Sequence, residues 1–301
     1  MKTFLCRLVL FGLLFWAFNS VAALFLTPRI KLDLWNKHHW VLSRHGEQYS
    51  LAVLGSSRAM NTVDASELQR LTKRRTINIG VGGSGAADQY LLLHSFLQNN
   101  SIDSLLLQVD YLSLTNYFTY GFRDYIWLCY QDDPMVRQLL REQVGWLRCL
   151  LWRIAPFVQL MEFNSQYRYW INESAPMTVK WDQTGGSELL DTAGLPDSNY
   201  VQFQLQPDAV LNLERIVQLC RDRGVRLILF VAPYEPSIEK LTDRDAERAA
   251  IKLFAEKSAA QLLDYSAIFY NRPELFLDRH HLNRARAIEF TQILAREVLE
   301  Q

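Results

Sequence analysis

The 301-residue chain has no surplus of charge: 32 Lys and Arg balance 32 Asp and Glu. Nucleic-acid binding calls for a basic excess or stripe, and the totals offer neither. Cysteine is scarce, with four in all. No CxxC pair and no Cys/His cluster has zinc-ligand spacing. Cys6 lies in the N-terminal apolar segment, so Cys129, Cys149 and Cys220 remain beyond it. An odd set does not build a dense disulfide framework. Cys129 and Cys149 could pair outside the cytoplasm; buried free thiols are the alternative. No internal repeat or low-complexity tract is present. What the chain does have is 49% apolar residues, enough to bury a full core in one large domain or two small ones.

The apolar residues are first concentrated at Leu8–Leu26, behind Lys2 and Arg7. That run is long enough for one bilayer crossing. The positive side stays cytoplasmic, which puts the rest of the chain on the far side, periplasmic in an inner-membrane protein. Residues 1–26 are therefore expected to be a transmembrane anchor. A cleaved signal peptide ending near Ser20-Val21-Ala22 is the rival, but the apolar run continues through Leu26. Residues 27–48 read as a juxtamembrane connector, with His38 and His39 on a surface segment and Trp35 and Trp40 near the lipid interface.

From residue 49 to 301 strands and helices alternate. Near-continuous apolar strands occur at Ser50–Gly55, Thr76–Ile79, Ile102–Val109, Val225–Val231 and Leu262–Tyr265. Helices are expected at Ala86–Leu97, Val210–Arg223, Asp243–Ala259 and Arg284–Leu299, with another beginning at Asp64. Asp64 and Asn283 serve as N-caps and Gly224 as a C-cap. The pattern predicts an α/β fold, a parallel sheet covered on both faces. It breaks over 111–206, which is dense in aromatics. Met135–Met161 looks helical and amphipathic there, and Trp181–Gly194 like a loop. An insertion of this length is either a functional cover over the cleft or an aromatic packing subdomain.

The chemistry-bearing residues fall at strand ends, where open parallel sheets bind ligands. Acyl-transfer chemistry needs a nucleophile, a base, a group that orients the base, and oxyanion donors. Ser57 follows the first strand. Gly82 and Gly83 follow the second, where glycine lets a backbone N–H approach a substrate oxygen. Asp278 and His281 lie three residues apart before the last helix. In a tight turn that spacing brings the carboxylate to Nδ1 and leaves Nε2 for the serine. Each has a plainer role open to it: a turn serine, a capping histidine, a loop acid. His280 is a rival base. Arg58 either binds an acidic substrate group or pairs with a carboxylate. Asp110 caps a strand end, and His94 packs on an apolar helix.

Three blocks in order resemble the SGNH/GDSL hydrolase superfamily: Gly55-Ser56-Ser57, Asn78-x-Gly80-x-x-Gly83, and Asp278-x-x-His281-Leu282-Asn283 followed by Ala287. The resemblance covers Tyr49–Asp110 and Pro207–Gln301. It implies a three-layer α/β/α fold with a flavodoxin-like sheet. It also implies Ser57 as nucleophile, His281 as base, Asp278 as its partner, and the N–H groups of Gly83 and Ser57 as oxyanion donors. Ser56 stands where that superfamily usually has Asp. Its third block, an asparagine in G-x-N-D, is replaced by Gln108-Val109-Asp110-Tyr111; Asn116 is nearby but out of context. These departures resemble the membrane-anchored DltD-like and alginate-acetylation-like branches. That implies an extracytoplasmic esterase or acyltransferase acting on an envelope glycan beside a polytopic membrane O-acyltransferase, without metal or organic cofactor. The alternative is a catalytically weak scaffold assisting that acyltransferase.

Overall fold

The structure is a computed structural model that describes residues 1–32, 36–115, 124–154, 180–191, 199–235, 239–278 and 281–299. Its contacts divide the chain into two compact units. One is Met1–His39 with Arg123–Thr178; the other is Trp40–Phe122 with Val179–Gln301.

The second unit is an α/β fold. Seven strands are described: β1 (Gln48–Leu54), β2 (Thr76–Asn78), β3 (Ser101–Gln108), β4 (Asn199–Gln202), β5 (Arg226–Val231), β6 (Glu239–Thr242) and β7 (Gln261–Asp264). Five form one all-parallel sheet in the order β2-β1-β3-β5-β7. β4 and β6 make a separate parallel pair. Leu51 to Leu54 and Leu105 to Leu107 are fully buried at successive positions. Successive side chains point to opposite faces of a strand, so both faces of the sheet are covered. One group of helices is Ala65–Thr72, Ser57–Thr62 and Arg284–Leu299, packed on one another; a second is Ala86–Asn99 against Pro207–Asp222.

From β1 the chain moves outward to β2, then returns to the other side of β1 as β3. That reversal makes a switch point between β1 and β3. Open α/β sheets bind ligands at such a point, outside the carboxyl ends of the strands. The local stops form where the side chains demand them. Asp64 caps its helix by accepting from Ser66 N at 2.9 Å and Glu67 N at 3.1 Å. Asn283 Oδ1 accepts from Arg286 N at 3.1 Å.

The expectations are refined in four places. The helical, amphipathic stretch Met135–Met161 holds two helices, Pro134–Val144 and Trp146–Ile154, and its tail lies outside the described residues. Gly145, at φ +88°, breaks it; a left-handed residue cannot continue a right-handed helix. Trp181–Gly194 is not simply a loop: Lys180–Gln183 is a helical turn. Behind it, Gly185 O accepts from Asn78 N at 2.8 Å and closes the open edge of β2. His38 and His39 are not on a surface. Both are fully buried in the helix Lys37–Leu42. Trp40 is buried too, its indole donating to Asp182 at 3.0 Å.

The first unit holds the N-terminal helix Lys2–Lys31, long and apolar enough to cross a membrane. All four thiols are free, so Cys129 and Cys149 are not paired. Trp127 and Trp152 are buried in this unit. Trp35, Asn116, Tyr117, Phe118, Tyr120, Phe122, Phe157, Phe163, Tyr167, Tyr169 and Trp170 lie outside the described residues.

Candidate active site

β1 ends in a sharp elbow, and Gly55 makes it possible. A Cβ on Gly55 would lie 2.7 Å from Gln108 Cβ and 2.8 Å from Ala59 Cβ, closer than any side chain tolerates. The two serines that follow have different surroundings. Ser56 is buried; its N and Oγ donate to Gln108 Oε1 at 3.2 and 3.0 Å, and its Oγ accepts from Arg58 N at 3.3 Å. Ser57 begins the helix Ser57–Thr62, is half-buried, and its hydroxyl makes no hydrogen bond among the described residues. Of the pair, Ser57 is the one whose hydroxyl is uncommitted.

The glycine loop after β2 is fastened over this elbow. Asn78 Nδ2 donates to Ala59 O and Val63 O, each at 2.9 Å, while its Oδ1 accepts from Gly80 N at 3.0 Å. Val81 N donates to Gly55 O at 3.0 Å, and Ser84 Oγ to the same oxygen at 3.2 Å. The loop therefore lies against the serine: a Cβ on Gly82 would be 3.7 Å from Ser57 Cβ. The Gly83 N–H makes no hydrogen bond among the described residues.

Asp278 and His281 form the predicted tight turn. His281 Nδ1 lies 2.9 and 2.7 Å from the two carboxylate oxygens, and His281 N donates to Asp278 Oδ1 at 2.9 Å. Leu277 N donates to His281 O at 2.8 Å, and Phe276 bridges Leu282. With Nδ1–H given to the carboxylate, the neutral ring carries its lone pair on Nε2, the form a general base needs. His281 Nε2 and Ser57 are not hydrogen-bonded to each other. Serine–base contacts in unliganded enzymes are often long and close up only with substrate. The rival base, His280, lies outside the described residues.

A strut that sequence reasoning missed ties the serine helix to the histidine turn. Glu188 N donates to Met60 O at 3.0 Å, three residues past Ser57. Leu190 O accepts from Arg284 N at 3.0 Å, three residues past His281. Arg284 also grips Leu189 O at 3.0 Å and Asp191 at 2.9 Å. No local signal marks residues 188–191 for this; the bonds join positions more than ninety apart in sequence.

Arg58 is deeply buried. Its Nη1 lies 3.1 Å from Asp110 Oδ2, and its Nη2 donates to Ala232 O at 3.1 Å and Pro233 O at 3.0 Å. Of its two readings, the ion pair with a carboxylate is the one observed. Asp110 is also the N-cap of Tyr111–Leu114, through Ser113 N at 3.0 Å. Arg58 and Asp110 help to line a cavity of about 440 Å³, whose walls also include Val231, Tyr234, Glu247 and Ile251. His94 is half-buried beside Tyr90, 2.9 Å from Gln98.

No protein-family model matches the chain, and no curated protein matches it. Several solved structures resemble it, two of them as follows. One is a protein assigned to the G-D-S-L lipolytic family from Desulfitobacterium hafniense DCB-2, at 8% identity and TM-score 0.41, covering 82% of this chain and 98% of that one. The other is the acetyl xylan esterase Est2A of the rumen bacterium Butyrivibrio proteoclasticus, at 8% identity and TM-score 0.35, covering 85% of this chain and 63% of that one.

Gln108 and Asp110 were readable in part. Polar residues at the end of an apolar strand are costly to bury unless they have partners. That the partners would be Ser56 and Arg58, about fifty residues earlier, was not. Among the described residues no cluster of three or more His, Cys, Asp or Glu side chains gathers as a metal site.

Proposed function

We propose that the chain is a serine O-acyl esterase or acyltransferase, with Ser57 as nucleophile, His281 as general base and Asp278 as the group that orients it. The observation that carries this reading is the Asp278–His281 pair, in which both carboxylate oxygens hold Nδ1. A carboxylate so placed fixes the tautomer and stabilises the imidazolium formed when the serine proton is taken. Ser57 Oγ attacks the acyl carbonyl as His281 Nε2 removes its proton. The oxyanion is received by the N–H groups of Gly83 and Ser57, with Gly82 keeping the approach clear. The imidazolium then protonates the leaving oxygen. Water or a sugar hydroxyl, deprotonated by the same nitrogen, takes the acyl group.

The substrate proposed is an acylated envelope glycan. The N-terminal helix acts as a single-pass inner-membrane anchor with the α/β unit in the periplasm, beside a polytopic O-acyltransferase that supplies or receives the acyl group. The polar side chains inside that helix support the anchor: Asn19, Ser20 and Thr27 each bond back to a carbonyl of their own helix, as lipid requires. Arg58 takes a supporting part here, holding the elbow.

The test is hydrolysis of an aryl acetate by the full chain in detergent, with Ser57→Ala and Ser56→Ala compared. Ser57→Ala should lose at least about 1,000-fold in kcat. Wild-type turnover by Ser57→Ala ends the serine mechanism. A second reading, a scaffold with little turnover of its own, draws on the missing third-block asparagine: Gln108 stands at that strand end and its Oε1 is occupied by Ser56. It predicts no esterase activity in either protein, but loss of glycan acylation in cells when the chain is deleted.

A further inference from the structure

The helix Trp146–Ile154 turns its apolar side outward. Trp146, Leu147, Leu150, Leu151 and Ile154 are between 40% and 69% exposed, while Trp152 is 1% exposed. At about 100° per residue the five exposed positions fill one unbroken arc of roughly 140°. Arg148 and Arg153 flank that arc, one on each side. Arg148 is held to Asp124 at 3.0 Å and stacks on Trp152. A soluble protein rarely leaves such a stripe uncovered. The pattern, a bulky apolar face with basic residues along its margins, suits a helix that lies in lipid.

The same helix is joined to the apolar N-terminal helix. Trp16 Nε1 donates to Ile154 O at 2.9 Å. Trp16 lies about 21 Å along a helix about 45 Å long, near its middle. Ile154 O is one of the last carbonyls of its own helix, which no residue within that helix can satisfy. In hydrocarbon an orphan indole N–H or carbonyl has no water to turn to. Here each satisfies the other. The N-terminal helix buries Asn19, Ala23 and Ile30, while Leu8, Phe11, Phe15, Phe18, Val21, Leu24 and Phe25 are exposed.

We infer that Trp146–Ile154 is a second membrane-embedded element: it packs beside the N-terminal helix and presents Trp146, Leu147, Leu150, Leu151 and Ile154 to lipid. Its occupant is the lipid bilayer itself, because the helix it is bonded to also exposes its apolar side chains, Leu8, Phe11, Phe15 and Phe18 among them. The break at Gly145 separates it from Pro134–Val144, whose exposed residues include Arg137, Gln138, Arg141 and Glu142. The inference rests on the anchor reading of Lys2–Lys31.

The experiment uses the full chain in lipid-only nanodiscs, with Cys6→Ser and Cys149→Ser as background. An environment-sensitive fluorophore is attached at Leu147→Cys or Leu151→Cys, at Phe18→Cys on the N-terminal helix, or at Glu142→Cys on the polar helix. Lipids carrying a nitroxide on the acyl chain serve as quencher. The expected result is quenching at 147 and 151 comparable to that at 18, and at least twofold stronger than at 142. Quenching at 18 with 147 and 151 behaving like 142 overturns the inference and leaves the anchor standing. No quenching at 18 overturns both. Probes at 147 and 151 that are shielded in native membranes but open to water in nanodiscs assign the face to a protein partner, and the lipid assignment is wrong.

Discussion

Arg58 and Asp110 sit 3.1 Å apart at the carboxyl ends of β1 and β3, with side chains 2% and 0% exposed. The guanidinium also holds the carbonyls of Ala232 and Pro233, so three strand ends meet on one cation. A buried pair adds little over apolar residues of the same size, yet breaking one is expensive.

Arg58→Met should therefore destabilise the α/β unit by about 3–5 kcal/mol, because it strands a buried carboxylate. Arg58→Met with Asp110→Asn should recover most of that loss, since asparagine keeps the N-cap of Tyr111–Leu114 without the charge. Denaturant unfolding of the three proteins measures it. A double variant no more stable than the single one would mean that the charge is not the cause.

Gly55→Ala should give no folded protein, or one with its elbow displaced and no esterase activity. The added Cβ would sit 2.7 Å from Gln108 Cβ and has no open side to move toward. Gly145→Ala is the matched control: its φ is also positive, but nothing lies within 4 Å of the new atom. It should cost only about 1–2 kcal/mol. Thermal unfolding of the two variants separates the crowded site from the open one.

Asp278→Asn keeps the shape of the turn and removes the charge that selects the Nδ1–H tautomer. kcat should fall about 100- to 10,000-fold with KM little changed. The side chain of Asp278 is 40% exposed, which favours the lower end of that range. An unchanged kcat would exclude Asp278 as the orienting group.

His39 provides a pH signature. Burial, with His38 and Lys31 adding repulsion, lowers its pKa from 6.5 to about 3. The ring is therefore neutral in the fold, with Nδ1 2.8 Å from Tyr130 Oη. Above pH 6.5 it is neutral in the unfolded chain as well, and no stability depends on it. Between pH 6.5 and about 3 the unfolded chain takes up the proton and the folded chain does not, so stability falls with pH. The loss at pH 5 should be about 2 kcal/mol. His39→Gln should flatten this part of the profile in thermal unfolding at pH 7.5 and pH 5. Equal acid sensitivity in both proteins would assign the effect elsewhere.

What could be read in advance was local or periodic. The strand runs, the Asp64 and Asn283 caps and the Asp278–His281 turn each depend on residues within a few positions of one another. The parallel sheet followed from strands that are near-continuously apolar. The features that were not legible join distant positions. Gln108 meets Ser56, Arg58 meets Asp110, and Glu188–Asp191 joins Met60 to Arg284 only once the sheet has assembled. His38 and His39 were misread because polar residues after an apolar helix suggest a wet connector. Tertiary packing buried them against Trp127 and Tyr130 instead. Gly145 was visible, but a lone glycine in a helical pattern does not say whether the helix bends or ends.

The pairing of β3 with β5 has a consequence in time. Their partners are separated by more than a hundred residues, the aromatic segment among them. A ribosome adding about 5–20 residues per second needs on the order of ten seconds to cover that distance. Throughout that interval β3 is a nascent strand with an unpaired apolar edge, waiting for a neighbour not yet synthesised. The sheet cannot be completed before β5 and β7 emerge. Chains stalled or truncated within the segment should therefore be taken up by chaperones or aggregate, while any truncation after Asn283 meets a sheet already complete.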